Sequence, residues 1–376
     1  MNRYILGAHP RINKLFQKSW ICASLMLVFL LINQSAECKQ LSNEELNKLT
    51  KATKRKSGVP AIAVAVIRSN AINFGIAGTH KKGSKKKVTL KNKFHLGSNT
   101  KAITSLIAMK LIEQGAIKLQ TSLYELFPEL TNDEFKQVTL GDFLSHRARV
   151  MTFRNNEFES LGLKGSTSDK RYQLTKYLLK KKPLKEVFNY SNAGYVVAAL
   201  MLEKAAKQSY EQLLDKTMHD LKLDYFIGFP NKQNKDNPWG HQLVNGRLKA
   251  LKPSHHYKFP DYMVSAGDIA INIQDYAKFI QLHLQGLRGK DNYLLAKDYQ
   301  TLHYGKKGYA YGWANQIDEK TRSTSHFGSL GTYFCYTVIM DEADIAVVFM
   351  LNSIEKKHVK SSYKLVAKII ELTFAK

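Results

Sequence analysis

The period of the apolar positions changes along the chain, and the changes outline its architecture. Residues 61–68 and 71–77 are two short apolar runs parted by Ser69-Asn70, the pattern of a β-hairpin. A polar helix is predicted ahead of them, over residues 42–54. After Gly97-Ser98 the apolar positions Ile103, Leu106, Ile107, Met109, Leu111 and Ile112 continue until Gly115, which predicts a largely buried helix beginning at Ser98. Beyond it the pattern is helical and loop-rich for almost two hundred residues, with helices predicted over 193–208 and 210–221, and strand signals nearly vanish. They return at 332–340 and 345–351, joined by Asp341-Glu342-Ala343-Asp344, before an amphipathic helix over about 358–374. Strands at both ends with helices between them predict an α/β (α+β) protein. Its antiparallel sheet is assembled from the two chain ends and flanked by terminal helices, with a helical lobe inserted. The expected sheet lobe covers about 40–95 and 305–376, and the helical lobe about 96–304.

Composition adds a compartment and a surface. The chain has 376 residues and 44% apolar content, enough for one large domain or two closely packed lobes. Residues 20–32 form a 13-residue apolar run, short of the roughly 20 residues that cross a bilayer. Arg3, Arg11, Lys14 and Lys18 precede it without an acid. This reads as a signal peptide over 1–36, cleaved near Ala36, with export to the periplasm or medium; an uncleaved membrane anchor is the alternative. Cys22, Cys38 and Cys335 offer no disulfide framework. The formal charge is +26, with clusters over 51–56, 81–93 and 180–185. Such charge suits an anionic cell-envelope surface. Neither zinc-finger spacing nor an aromatic-interleaved basic signature is present, so nucleic acid is not an expected partner.

Three short stretches carry candidate chemistry. Ser98 and Lys101 are three apart and share a helix face. An ammonium held among apolar side chains loses basicity until it can accept a proton, and the positive end of the helix favours a serine alkoxide. Alone, Ser-x-x-Lys is more often an N-cap followed by a solvated lysine. Asn189-Tyr190-Ser191-Asn192 leads from a loop into the helix near 193; a phenol close to two cations is expected to fall below its usual value of about 10 and to serve as general base or acid. Finally, Thr324 to Thr332 contains His326, Gly328 and Gly331, and glycines let a backbone approach a ligand closely. A lone His326 is more often structural.

Taken together and in this order, Ser98-x-x-Lys101, Tyr190-Ser191-Asn192 and His326-Phe327-Gly328 resemble the serine β-lactamase and penicillin-recognising hydrolase superfamily. The pattern is most similar to class C β-lactamases, serine DD-peptidases and related esterases. Leu144-Ser145-His146, Ser265-Ala266-Gly267-Asp268 with Asp275, and Tyr311-Gly312-Trp313 resemble supporting segments of that family, so the similarity runs over nearly all of the exported chain. The resemblance implies a β-lactamase/transpeptidase-like fold. It also implies an acyl-enzyme at Ser98, with Lys101 as proton partner, Tyr190 as general base and acid, and Asn192 positioning the substrate amide. The backbone amides of Ser98 and Ser329 would stabilise the oxyanion. His326 would take the place of the third-motif Lys or His beside Gly328, supplying positive character or a hydrogen bond. No metal or organic cofactor is implied, and no His-Glu-x-x-His pattern occurs.

Two departures bear on the substrate. The third motif has Phe327 where a Thr or Ser is usual, and Arg147-Ala148-Arg149 follows His146 in place of small residues. If Phe327 lines the cleft it favours an apolar group there; strand alternation instead turns it to the core. In either geometry carboxylate recognition is expected to be reduced, and neutral short-chain esters to be preferred over penicillins or D-Ala-D-Ala peptides, with Arg147 and Arg149 as candidate compensating cations. The expected function is thus an exported serine hydrolase acting on a small-molecule or peptide ester or amide. The alternative is a catalytically weak envelope protein that holds acidic polymers by its basic surface.

Overall fold

The structure is a computed structural model that describes residues 39–130, 133–152, 161–318 and 321–374. The predicted signal segment, Cys22 and Cys38 lie outside the described residues. Both predicted hairpins form. β1 (Ala61–Ile67) pairs with β2 (Ile72–Gly78), and β10 (Phe334–Met340) with β11 (Ile345–Leu351). The chain ends meet where β1 pairs antiparallel with β11, placing Val64 beside Phe349. β9 (Arg322–Ser329) and β8 (Ala314–Ile317) complete a six-stranded sheet in the order β2-β1-β11-β10-β9-β8. β1, β10 and β11 are buried along their whole length, and their near-continuous apolar sequences follow from burial on both faces.

Terminal helices cover one face. α1 (Asn43–Ser57) starts at a reciprocal Ser42–Glu45 capping box and ends at Gly58 in the left-handed region, φ 76°, a position that favours glycine. With α8 (Lys356–Phe374) it contributes Leu46, Leu365, Val366, Ile369 and Ile370 to an apolar core against Phe334, Val347 and Phe349. On the opposite face lies a larger core shared with the helical lobe. That lobe contains α2 (Thr100–Glu113), α3 (Thr167–Leu179), α4 (Asn192–Ala206), α5 (Tyr210–Asp220), α6 (Ile273–Leu287) and α7 (Ala296–Tyr304). α2 and α4 are buried on nearly all sides over Thr100–Met109 and Ala193–Glu203, so they form its centre. Among the described residues no helix is long and apolar enough to cross a membrane.

Strand signals do not vanish from the middle of the chain as the pattern predicts. β3 (Lys93–His95), β7 (Ile269–Asn272) and β4 (Tyr225–Ile227) form a separate three-stranded sheet, and β5 (His241–Val244) with β6 (Arg247–Ala250) a hairpin. Strands of three or four residues are too short to show a period of two. β7 also runs directly into α6 through the Asn272 cap, so its apolar residues merge with a helical pattern. A second correction concerns the start of the Ser98 helix. Gly97–Asn99 is a turn of 3-10 helix, and α2 begins at Thr100.

Candidate active site

Ser98 is partly exposed on that 3-10 turn, between the end of β3 and the start of α2. The turn is pressed against β9. Gly97 is left-handed at φ 54°, and a Cβ there would come within 2.4 Å of the Ser329 amide nitrogen. A Cβ on Gly328 would lie 1.9 Å from the Leu96 carbonyl oxygen and 2.6 Å from the Ser98 nitrogen. Only glycine at both positions permits this approach, which brings the Ser98 and Ser329 amides to one junction. That is where a tetrahedral oxyanion on Ser98 needs donors.

Lys101, one turn into α2, has no exposed surface. Its Nζ lies 2.7 Å from Asn192 Oδ1, 2.6 Å from the Ala266 carbonyl oxygen and 3.2 Å from Ser98 Oγ. None of these partners is a carboxylate. Burial therefore drives the lysine well below its ordinary range of about 10.5, because the charged form loses water without gaining a counter-charge. A neutral amine has two N–H bonds and one lone pair. The two carbonyl oxygens can only accept, so they take both N–H groups and leave the lone pair for the Ser98 hydroxyl proton. Asn192, at the first turn of α4, thereby turns its carbonyl end to Lys101 and its amide NH2 away from it.

Tyr190 precedes the Ser191 cap of α4. Its ring is packed on His146, centroids 4.1 Å apart, and Lys101 Nζ lies 4.9 Å from its centre. Although the residue is 36% exposed, burial pushes its phenol above its ordinary value, opposed only in part by hydrogen bonding to Ser98. The expected depression by two cations is thus reversed. The reason is that loss of water around the phenolate outweighs the one influence that lowers it, which is the Ser98 hydrogen bond and not a cation. His146 itself is 2% exposed and accepts a hydrogen bond at Nδ1 from the Ser191 amide, 3.2 Å away. Burial, with Lys101 the next cause, holds it far below its ordinary value. A wall of His146, Tyr190, Tyr195 and Tyr309 results.

On β9 alternate side chains part company. His326 faces the site and is 4% exposed; its Nε2 lies 3.0 Å from the Tyr309 hydroxyl. Burial, reinforced by Lys101, lowers it to about 3, so it offers a hydrogen bond and not the positive character the motif suggested. Phe327 faces the other way, packed with the terminal-helix core and stacked on Phe334 at 6.2 Å. It is therefore not a substrate-binding residue, and the core alternative given by strand alternation is the one realised. Arg147 gives its guanidinium to the carbonyl oxygens of Ser145, Tyr309 and Lys307 at 2.7–2.9 Å, while Arg149 donates to the Leu184 carbonyl. These arginines tie the Tyr190 loop and the loop before β8 to the His146 turn. Of the predicted set, Ser98, Lys101, Tyr190, Asn192, His326, Gly328 and Ser329 gather around one junction. No group of three or more His, Cys, Asp or Glu side chains among the described residues is arranged to hold a metal.

The sequence profile of the Beta-lactamase family matches residues 46–369, a span that includes every one of these residues. The chain belongs to the beta-lactamase family. Members of the beta-lactamase family are in general serine hydrolases. Protein flp of Staphylococcus aureus (strain N315) is 21% identical over 328 residues, covering 83% of this chain. That match spans 63% of the Flp protein's own length. A Beta-lactamase of Providencia stuartii is 22% identical over 273 residues, covering 70% of this chain and 66% of that protein. Among solved structures, the octameric penicillin-binding protein homologue from Pyrococcus abyssi superposes with a TM-score of 0.70 at 20% identity, covering 87% of this chain and 77% of that one. The beta-lactamase fold, with its antiparallel sheet and helical lobe, is thereby established.

Some members of this beta-lactamase-family site escaped the motif reading. The Ala266 carbonyl is a backbone group within an otherwise noted segment. Tyr309 stands two residues before the noted Tyr311-Gly312-Trp313. His146 lies in the supporting segment Leu144-Ser145-His146, but its role as acceptor for the Ser191 amide depends on a contact 45 residues away.

Proposed function

We propose that this beta-lactamase-family protein is a serine hydrolase that forms an acyl-enzyme at Ser98 and acts preferentially on neutral esters. The observation that carries the reading is the wholly buried Lys101 Nζ, held by two acceptor-only oxygens and 3.2 Å from Ser98 Oγ with no carboxylate beside it. Lys101 takes the Ser98 proton as Oγ attacks the substrate carbonyl carbon. The Ser98 and Ser329 amides receive the developing negative charge. As the tetrahedral intermediate collapses, the leaving alkoxide takes a proton from the neutral Tyr190 phenol, which is replenished from the Lys101 ammonium. Water then adds to the acyl-enzyme by the reverse proton path, releasing the acid and restoring the Ser98 hydroxyl.

The preference for neutral substrates rests on charge. Burial lowers His326 to about 3 and drives Lys101 well below its ordinary range, and Arg147 is engaged by three backbone carbonyls. None of the three offers an unengaged cation to a substrate carboxylate. A fluorophosphonate probe followed by intact-mass measurement tests the nucleophile: one adduct is expected on the wild type and none on Ser98→Ala. An adduct persisting on Ser98→Ala, or no adduct on the folded wild type across the accessible pH range, removes the assignment. Comparing kcat/KM for p-nitrophenyl acetate, a penicillin and a D-Ala-D-Ala peptide on one preparation tests the preference. A penicillin or peptide favoured over the ester would replace the esterase reading with β-lactamase or cell-wall peptidase.

The apolar run at 20–32 supports export, and the exposed Lys82, Lys85 and Lys87 support contact with an anionic envelope surface. Retention on acidic envelope material should then weaken steeply with added salt, since exposed charges are screened beyond about 10 Å at 0.1 M. Salt-independent retention would remove that part of the reading.

A further inference from the structure

A second pair of buried polar side chains stands directly behind the nucleophile. His95 ends β3 and is 1% exposed, and Asp268, at the end of the short helical turn Val264–Gly267, is 5% exposed. His95 Nδ1 accepts the Gly97 amide hydrogen at 2.9 Å, and Nε2 lies 3.0 Å from Asp268 Oδ1. A backbone amide can only donate, so Nδ1 must be the bare nitrogen. The ring proton then sits on Nε2 and is donated to the carboxylate.

The hydrogen bonds end on a position of consequence. Gly97 adopts the left-handed conformation that brings the Ser98 turn against Gly328 and the Ser329 amide. The segment carrying Asp268 serves the site twice. Its Ala266 carbonyl accepts from Lys101, and Gly267 lies in ordinary contact with the turn, where an added Cβ would stand 3.6 Å from the Gly97 carbonyl and 3.8 Å from the Ser98 nitrogen. Phe229 and Tyr333 flank the imidazole at 5.4 and 6.1 Å, leaving its plane little freedom to tilt.

We propose that Asp268 and His95 are positioning residues for acyl transfer: the carboxylate selects the His95 tautomer, the imidazole holds the Gly97 amide, and the held turn aims Ser98 and the two oxyanion amides. This rests on the proposed role of Ser98. A purely stabilising pair would behave differently, since its loss would lower the melting temperature while leaving the turnover of the surviving fold unchanged. Burial raises the Asp268 carboxyl, and the His95 hydrogen bond opposes that rise by favouring the carboxylate.

The test uses His95→Ala, His95→Asn and Asp268→Ala with three readouts: kcat and KM on p-nitrophenyl acetate, the rate of fluorophosphonate labelling, and the 15N spectrum of the histidines. His95→Ala is expected to lower kcat and the labelling rate by about 10²-fold, the scale on which misplacement of reacting groups by about 1 Å acts, with KM changed less than about twofold. His95→Asn keeps a carbonyl oxygen near the position of Nδ1, and should recover at least tenfold of that loss. Asp268→Ala should mix the His95 tautomers and lower kcat without His95 itself being touched. Folded variants that label and turn over at the wild-type rate would overturn the proposal, as would equal losses in His95→Asn and His95→Ala. Should the variants fail to fold, the wild-type spectrum still decides: protonated Nε2 and bare Nδ1 support the proposal, and the opposite tautomer overturns it. Failure of the wild type itself to label is distinguishable, because it removes the Ser98 reading while leaving the tautomer result intact.

Discussion

Two wholly buried basic side chains meet opposite ends of one helix, α4, and the protein treats them in opposite ways. Arg171, on α3, reaches Glu203 near the C-terminal end of α4 and Glu211 on α5, and donates its Nε to the Tyr262 carbonyl. Burial works to lower its pKa, but the two carboxylates outweigh it and the net direction is upward. Lys101 meets Asn192 at the N-terminal end of the same helix and finds only neutral oxygens. Its direction is strongly downward. Burial is the same in both places, so it cannot set the direction of the shift; the presence of a carboxylate does. The guanidinium, always charged, is locked into a structural ion pair, and the lysine is pushed toward its neutral form.

The largest effect that would break this comparison is on turnover. Lys101→Met should lower kcat for the neutral ester by about 10²–10⁴-fold, the range of a lost general base, while leaving the melting temperature unchanged or raised, because an apolar side chain of similar volume suits a dry site. Retained turnover would show that Lys101 is not the base. Arg171→Met should do the reverse. It leaves Glu203, which is 7% exposed, with the Ser168 and Tyr210 hydrogen bonds but no counter-charge, and should cost about 3–5 kcal/mol in chemical denaturation, with kcat per folded molecule nearly unchanged. A smaller effect sharpens the rule itself. Asn192→Asp gives Lys101 the carboxylate it lacks, should restore the ammonium, and should lower kcat at neutral pH by about 10²-fold. Since the lysine pKa would then be raised, activity should return as pH rises through that value, whereas the wild type should gain little over the same interval. An unshifted acid limb in Asn192→Asp would contradict the electrostatic account.

These cases also show what the sequence could and could not convey. Ser98 and Lys101 were legible because residues three apart share a helix face, and burial of the lysine followed from the apolar run around it. The opposite orientations of His326 and Phe327 followed from strand alternation. By contrast, nothing local says that Arg171 has carboxylate partners and Lys101 none, since those partners stand 32 and 40 residues away in one case and 91 and 165 in the other. Tyr190 was misread for the same reason: its neighbours were counted as charges, and their charge state depended on partners that only the fold supplies. Asp268 stood out only within a supporting segment and His95 not at all, because the two are 173 residues apart and meet only when β3 and β7 pair.

The smallest effect concerns the far side of β9. Phe327→Thr should cost about 1–3 kcal/mol of stability through lost packing on Phe334, and leave the preference for neutral esters within about twofold. A shift toward penicillins or D-Ala-D-Ala peptides would place this side chain, or its replacement, in the cleft after all.

The stability of the protein should carry the mark of the discharged lysine as well. In the unfolded chain Lys101 is protonated up to about 10.5, and in the folded protein it loses its proton well below that. Between the two values the unfolded state binds more protons, so folding stability should rise with pH across that interval. The same slope should be absent from Lys101→Met.

The central claim is that Lys101 is an amine at neutral pH, and selective 15N labelling of lysine ζ-nitrogens reads it directly. In a pH titration of the wild type, with Lys101→Met used to assign the signal, Lys101 Nζ should show the amine chemical shift at pH 7 while the surface lysines show the ammonium shift. A Lys101 signal that remains ammonium up to about pH 10, with the ordinary lysine range, would contradict the account.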